Sequence, residues 1–233
     1  MIKDALIVLS GGMDSTTMLH EYKSSIALAV NFSYGANHNP LEAECARRQC
    51  AMLGIELIEI DLAFMSQYFE SSLLRGAEAI PEGHYTDTNM TSTVVPFRNG
   101  IMLSIAAGLA ESRGLKAVMI ANHGGDHAIY PDCRPGFIPA MNSAIQAGTY
   151  LPVELRAPYT NLTKTEIARR GLSLGVDYSL TYSCYKGTVP PCGRCATCLE
   201  RETALAEASA LLEKNRTASS SVSKRATPKF FRW

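Results

Sequence analysis

From Ala5 to Ile60, short apolar runs alternate with segments of helical spacing, and this alternation is the strongest constraint the chain places on its own fold. Ala5–Leu9 is a brief β-rich run ending in Ser10-Gly11-Gly12, and Met13–Tyr22 follows with helical periodicity. Ile26–Asn31 is a second apolar run. Pro40–Leu53 opens on a proline, carries Glu42 and Glu44 early and Arg47 and Arg48 later, and meets Gly54 past its end, the polarity of a helix. Ile55–Ile60 alternates apolar and acidic residues as a half-exposed strand does. The order β-α-β-α-β predicts an α/β fold, a doubly wound parallel sheet with helices on both faces. Farther on, Asn99–Arg113, Phe137–Ala147, Lys164–Gly171 and Ala196–Lys214 read as helices, with strands at Ala117–Ala121 and Leu151–Leu155. Residues 62–95 are less regular, and the polar stretch 81–93 reads as a mobile loop. Residues 215–233 have no apolar period until their tip and read as a disordered tail.

Composition excludes several classes. Lys plus Arg number 22 and so do Asp plus Glu, so the chain does not hold nucleic acid by bulk charge. Its longest uninterrupted apolar runs fall well short of the roughly 20 residues a membrane helix needs. The N-terminus lacks a small-residue cleavage site, which argues against a secretory signal. There are seven Cys, an odd number, with four close together late in the chain. That pattern suits a reducing, cytoplasmic setting and a metal site rather than a disulfide framework.

Ser10 to Ser15, SGGMDS, lies where the first strand meets the first helix. Gly11 and Gly12 let the backbone turn sharply and bring its N–H groups to an anion. The helix start adds partial positive charge, and Ser10 and Ser15 add hydroxyl donors. Asp14 would repel phosphates unless a divalent cation lay between, so it reads as a Mg²⁺-facing residue. The loop is neither a Walker A sequence nor G-x-G-x-x-G. It resembles the loop of the ATP pyrophosphatases, which split ATP between the α- and β-phosphates and pass AMP to a substrate oxygen.

Cys184, Cys192, Cys195 and Cys198 place four thiols within fifteen residues. Soft thiolates at this spacing suit tetrahedral Zn²⁺ in a closed structural site. A [4Fe–4S] cluster is the competing reading, disfavoured because nothing else in the chain suggests electron transfer. Cys45 and Cys50 fall on different faces of one predicted helix and read as ordinary thiols.

Three further segments carry polar chemistry. Asp126 to Arg134, DHAIYPDCR, follows a parallel strand, where open α/β sheets hold ligands, and brings Asp126, Tyr130, Asp132 and Arg134 together. Arg98 and Asn99 offer donors at a helix start. Lys164 lies in the first turn of its helix against the dipole, which hints at an anionic partner as readily as at a solvated lysine.

Together these segments resemble the 7-cyano-7-deazaguanine synthase family over about residues 5 to 205, through SGG-x-D-S, VP-x-RN, YPDCR, K-x-E and the S-C-Y…C-G-x-C-x-x-C knuckle. The resemblance implies that 7-carboxy-7-deazaguanine is adenylated by ATP and joined to ammonia, passing through an amide to the nitrile. It assigns Ser10, Gly11, Gly12, Asp14 and Ser15 to ATP and the four late cysteines to zinc. It makes Arg98, Asp132 and Lys164 nucleotide or substrate contacts, with Asp14, Arg98 and Lys164 the candidate catalytic residues, and it implies a homodimer. The expected organisation is a PP-loop nucleotide-binding unit over 1–180, the knuckle and its helix over 181–214, and a tail over 215–233.

Some positions depart from the family's usual residues: Ala36 and Asn37 where Gln and Arg are common, Asp126-His127-Ala128-Ile129 before YPDCR, and Gly136 after it. These changes suggest a roomier, less polar pocket rim. They motivate a second hypothesis, a paralogue that hands the activated carboxylate to another amine on a protein or nucleic acid. A third, from a different class, is a non-catalytic ATP-sensing knuckle module.

Overall fold

The computed structural model describes residues 3–74, 80–83 and 90–223. Five strands, β1 (Ala5–Val8), β2 (Ile26–Ser33), β3 (Glu56–Asp61), β4 (Ala117–Met119) and β5 (Glu154–Arg156), form one sheet in the order β3-β2-β1-β4-β5. Every pairing is parallel. Helices α1 (Met13–Tyr22), α2 (Asn39–Leu53), α3 (Phe64–Tyr68), α4 (Arg98–Ser112), α5 (Phe137–Gly148), α6 (Lys164–Ser173) and α7 (Ala196–Ser223) connect and follow them.

The pleat sorts alternate strand residues onto two cores. Leu6, Leu28, Val30 and Val118 share one cluster with Met102, Leu103, Ala106 and Ala110 of α4 and Ile145 of α5. Ala5, Ile7, Ala29 and Met119 share the other with Met18 and Leu19 of α1, Ala46 and Cys50 of α2, and Ile167 of α6. A register shift between Ala5 and Leu6 pairs them with Ile26 and Leu28, which puts Ile26 in the second cluster against simple alternation. The sheet is therefore covered on both faces, as the alternating sequence predicts. β3, with its acidic residues exposed and its apolar ones half-buried, forms one edge.

Local chemistry sets the helix ends. Thr163 and Glu166 form a reciprocal capping box at the start of α6. Gly54 closes α2 in the left-handed region, φ 62°, where its N–H reaches the carbonyls of Ala51 and Cys50.

Two expectations need correction. The stretch Thr91–Ser112 does reach the length and mean hydropathy, 1.3, of a membrane span, and half of its most apolar part is buried in the protein. Pro96 and the left-handed Phe97 break it, leaving α4 with 15 residues. Such a helix is about 22 Å long, against roughly 30 Å of hydrocarbon, and its apolar face packs on the sheet. At the other end, α7 continues past Lys214 to Ser223, because extending an existing helix costs little once it is nucleated. Residues 224–233 of the expected tail, and 84–89 of the expected loop, lie outside the described residues.

The strand order places the reversal of winding between β1 and β4. Ligands in open sheets bind outside the carboxyl ends of the strands at that point. Ser10 follows β1 there and His123 follows β4.

Candidate active site

One cleft of about 1100 Å³, including its open mouth, lies at this switch point, and its walls come from every part of the chain that carries chemistry. The loop after β1 supplies Ser10, Gly12, Asp14 and Ser15 to it. Gly11, at φ 93°, lies behind the wall. A Cβ there would sit 2.1 Å from the Glu42 carbonyl oxygen, so only glycine lets α2 and this loop meet. Ser10 Oγ is 3.0 Å from Ser15 Oγ and accepts from the Gly12 N–H at 3.1 Å, which pins the turn.

Asp14 stands at the centre of a charged cluster. Its Oδ2 lies 3.2 Å from Lys164 Nζ, which is also 3.0 Å from Glu200 Oε2. His123 Nε2 lies 3.7 Å from Asp14 and 3.5 Å from Asp126. The Gly125 N–H donates to His123 Nδ1 at 3.1 Å, which turns Nε2 toward both carboxylates. Burial by itself would raise Asp14, but Lys164 and His123 hold it below its ordinary value. Burial would likewise lower Lys164, yet Asp14 and Glu200 raise it and keep it an ammonium. Asp14 Oδ1 is buried with no hydrogen-bond partner among the described residues. An orphaned carboxylate oxygen on the cleft wall fits a divalent cation.

The opposite half of the cleft is organised by Arg98. Its Nη1 donates to Tyr34 Oη at 3.0 Å, and the guanidinium lies over the Tyr34 and Tyr130 rings, 5.4 and 6.0 Å from their centroids. Tyr34 Oη lies 3.1 Å from His38 Nε2, and Tyr130 Oη lies 3.1 Å from Tyr185 Oη. Burial, reinforced by Arg98, pushes His38 down to about 4. Glu42 is pushed up to about 8 by burial, with Arg98 pulling the other way. Among the described residues lining this half, Arg98 is the permanent charge, set among groups that burial keeps neutral.

Of the residues expected from the sequence, the cleft brings together Ser10, Gly12, Asp14, Ser15, Arg98, Asn99, Asp126, Tyr130 and Lys164. Asp132 is not on its wall. It is buried, and its carboxylate accepts from the Asn99 backbone N–H at 2.7 Å, capping α4 from a distant loop. Arg134 is exposed and donates to the His127 carbonyl. The roomier-rim expectation also fails. Ala36 is fully buried, with its N–H on Asn39 Oδ1, whereas Ala128 and Gly136 are exposed, and none of the three lines the cleft. Sequence reasoning missed Asn122, His123, Glu42, Ser183, Tyr185 and Thr197. The position of Asn122-His123 directly after β4 was the available signal for that pair, since it mirrors the loop after β1.

The four late cysteines converge, their Sγ atoms all within 4.8 Å of one another. Cys195 to Cys198 is 3.5 Å and Cys192 to Cys198 is 4.0 Å, bracketing the about 3.8 Å edge of a tetrahedron with Zn–S bonds of about 2.3 Å. The Arg194 and Cys195 N–H groups point at Cys192 Sγ, and the Cys192 N–H points at Cys184 Sγ, the donors thiolates require. The set fits Zn²⁺. Ser183 and Tyr185 flank Cys184 and Thr197 precedes Cys198, so this knuckle forms one wall of the cleft.

With the geometry in place, comparison with known proteins is specific. The family model described as queuosine biosynthesis protein QueC matches residues 4–209. A 7-cyano-7-deazaguanine synthase from Porphyromonas gingivalis is 59% identical over 206 residues, 88% of this chain and 94% of that protein. Those of Caldicellulosiruptor bescii and Methanoregula boonei are 48% and 44% identical, covering 84% and 88% of this chain and 90% and 95% of theirs.

Proposed function

The chain belongs to the QueC family of queuosine biosynthesis proteins, and from that premise we propose that it makes 7-cyano-7-deazaguanine from 7-carboxy-7-deazaguanine and ammonia, using ATP. The observation that carries this reading is the 59% identity to a synthase of which the chain spans 94%. The cleft supports it residue by residue. Gly12 and the serines around it form a cradle for the phosphates. Lys164 and Arg98 supply the positive charge that an adenylated carboxylate and its leaving groups need. Asn99, Tyr130 and Asp126 line the space left for the deazapurine. No observation favours transfer to a protein or nucleic-acid amine, or a non-catalytic ATP sensor.

Asp14, through its unpartnered Oδ1, would hold Mg²⁺, which neutralises charge as pyrophosphate leaves. Cys184, Cys192, Cys195 and Cys198 would hold Zn²⁺ in a closed site, with a role in structure alone. Residues 1–180 then act as the nucleotide-binding unit, and 181–214 close its cleft. We keep the homodimer that the family resemblance implies as part of this proposal.

The deciding experiment is incubation with ATP, Mg²⁺, 7-carboxy-7-deazaguanine and ammonia, read by mass spectrometry. The nitrile is expected, with AMP and pyrophosphate released in both rounds. A product that stops at the amide, or none, would overturn the reading.

A further inference from the structure

Glu42 is the acid on the cleft wall that the reading above leaves without a task. It stands in the first turn of α2, and its Oε1 lies 3.7 Å from where a Cβ on Gly12 would be, beside the phosphate cradle. Its side chain is 15% exposed, and the nearest cation-forming group is His38 Nε2 at 3.8 Å. That nitrogen is already engaged. Arg98 donates to Tyr34 Oη, which leaves the Tyr34 hydroxyl hydrogen for His38 Nε2. Other acids near the cleft are tied up: Glu200 and Asp14 hold Lys164, and Asp126 faces His123. A carboxyl turned to a cleft whose one ion-pair neighbour among the described residues, at 3.8 Å, is a nitrogen already engaged elsewhere is expensive to keep, and such groups concentrate at functional sites.

The chemistry proposed above needs a proton acceptor in two nitrogen steps, since ammonia carries three hydrogens and the nitrile nitrogen none. Ammonia attacking the acyl adenylate forms a C–N bond, breaks the C–O bond to AMP and must shed one N–H proton. The second ATP then adenylates the amide oxygen, releasing pyrophosphate. The amide nitrogen loses one proton as the imidate forms and the last as AMP leaves and C=N becomes C≡N. Lys164 cannot accept these protons, being held as an ammonium, and His38, at about 4, is too weak a base near neutral pH.

We propose that Glu42, as its carboxylate, accepts the proton in both nitrogen steps and passes it to water at the cleft mouth. The proposal rests on the function proposed above and adds a catalytic residue to it. Carboxylate is the active form, so the rate should climb with pH toward a plateau above the Glu42 value of about 8. Of the other groups facing Glu42, His38 titrates far below this range, Tyr34 and Cys45 are raised by burial, and Arg98 stays charged.

The test compares wild-type enzyme with Glu42→Gln and Glu42→Asp. Conversion of supplied 7-deazaguanine amide to nitrile removes ammonia's own titration from the pH profile. Exchange of labelled pyrophosphate into ATP with the carboxylate alone reports adenylation without the nitrogen step. Expected are a loss of roughly 100-fold or more in kcat for Glu42→Gln with its alkaline rise abolished, partial recovery in Glu42→Asp, and exchange retained in both. Full turnover in Glu42→Gln, exchange lost in step with turnover, or a change confined to KM would each overturn the proposal, the last marking Glu42 as a recognition residue. Absence of exchange in the wild type would instead bring down the functional reading, and this proposal with it.

Discussion

Gly11 and Glu42 meet backbone to backbone, with the glycine at φ 93° and no room for a Cβ short of 2.1 Å from the Glu42 carbonyl oxygen. This contact locks the phosphate cradle to the helix that carries the cleft-facing acid Glu42.

Gly11→Ala should therefore fail in two ways at once. The left-handed backbone alone costs about 1–3 kcal/mol in an L-residue, and the clash falls on backbone, which cannot swing aside. A thermal melt should show a clear drop, and ATP binding by calorimetry should be lost even below the new midpoint. Wild-type affinity in this variant would contradict the packing described.

Asp132→Ala separates a capping role from substrate contact. Losing an N-cap acceptor costs about 0.5–2 kcal/mol, and the α4 start it releases carries Arg98 and Asn99. The variant should lose stability by that amount in denaturant unfolding. Its KM should rise several-fold through the displaced Arg98, with adenylation still detectable. A complete loss of chemistry at unchanged stability would place Asp132 on the substrate after all.

Asp14→Asn should leave the melt within a few degrees of wild type and abolish pyrophosphate release. The charge that offsets Lys164 and would hold the cation is gone, while the shape remains. Undiminished release would remove Asp14 from the chemistry.

Stability should respond to pH with opposite signs from two carboxyls. Asp14 is depressed, so its contribution is present above its unfolded value and fades as the medium is acidified through the lower folded value. Glu42 is raised to about 8 from 4.5, so the folded state binds the extra proton and loses stability as pH climbs between those values. Glu42→Gln should accordingly be the more stable protein above pH 8 by up to ~5 kcal/mol, with the gap closing near pH 4.5. Parallel stability–pH curves for the two proteins would show Glu42 to be unperturbed.

Chelation should act on the cleft as well as on the knuckle. Ser183, Tyr185 and Thr197 belong to both, and Glu82 ties the knuckle to the preceding loop through Lys186. One zinc per chain is expected by elemental analysis, and a strong chelator should abolish ligand binding together with activity. Iron in place of zinc, or full ligand binding by the metal-free protein, would refute this.

The sheet, its helices and the loop after β1 were legible because strand and helix periods and glycine placement are local signals. The four cysteines were legible because ligand spacing is local too. What the sequence hid was pairing at a distance. Asp132 and Asp126 lie six residues apart in one polar segment, yet one caps α4 and the other faces the cleft. Glu42 looked like an ordinary first-turn acid favouring the helix dipole, and only the fold shows that it faces the cleft beside a His38 nitrogen already engaged with Tyr34. Ala36, Ala128 and Gly136 looked like pocket residues because they adjoin motif residues in the chain, but the fold buries the first and leaves the other two on the surface, away from the cleft.

β1 holds the middle of the sheet, with β2 along one edge and β4 along the other. During synthesis the second edge of β1 has no mate until Ala117–Met119 leaves the ribosome, long after β2 and β3 are complete. An unpaired edge of this kind invites pairing with another chain. A product truncated within α4 would thus present an adhesive strand instead of a weakened catalyst, and its fate would be aggregation or proteolysis.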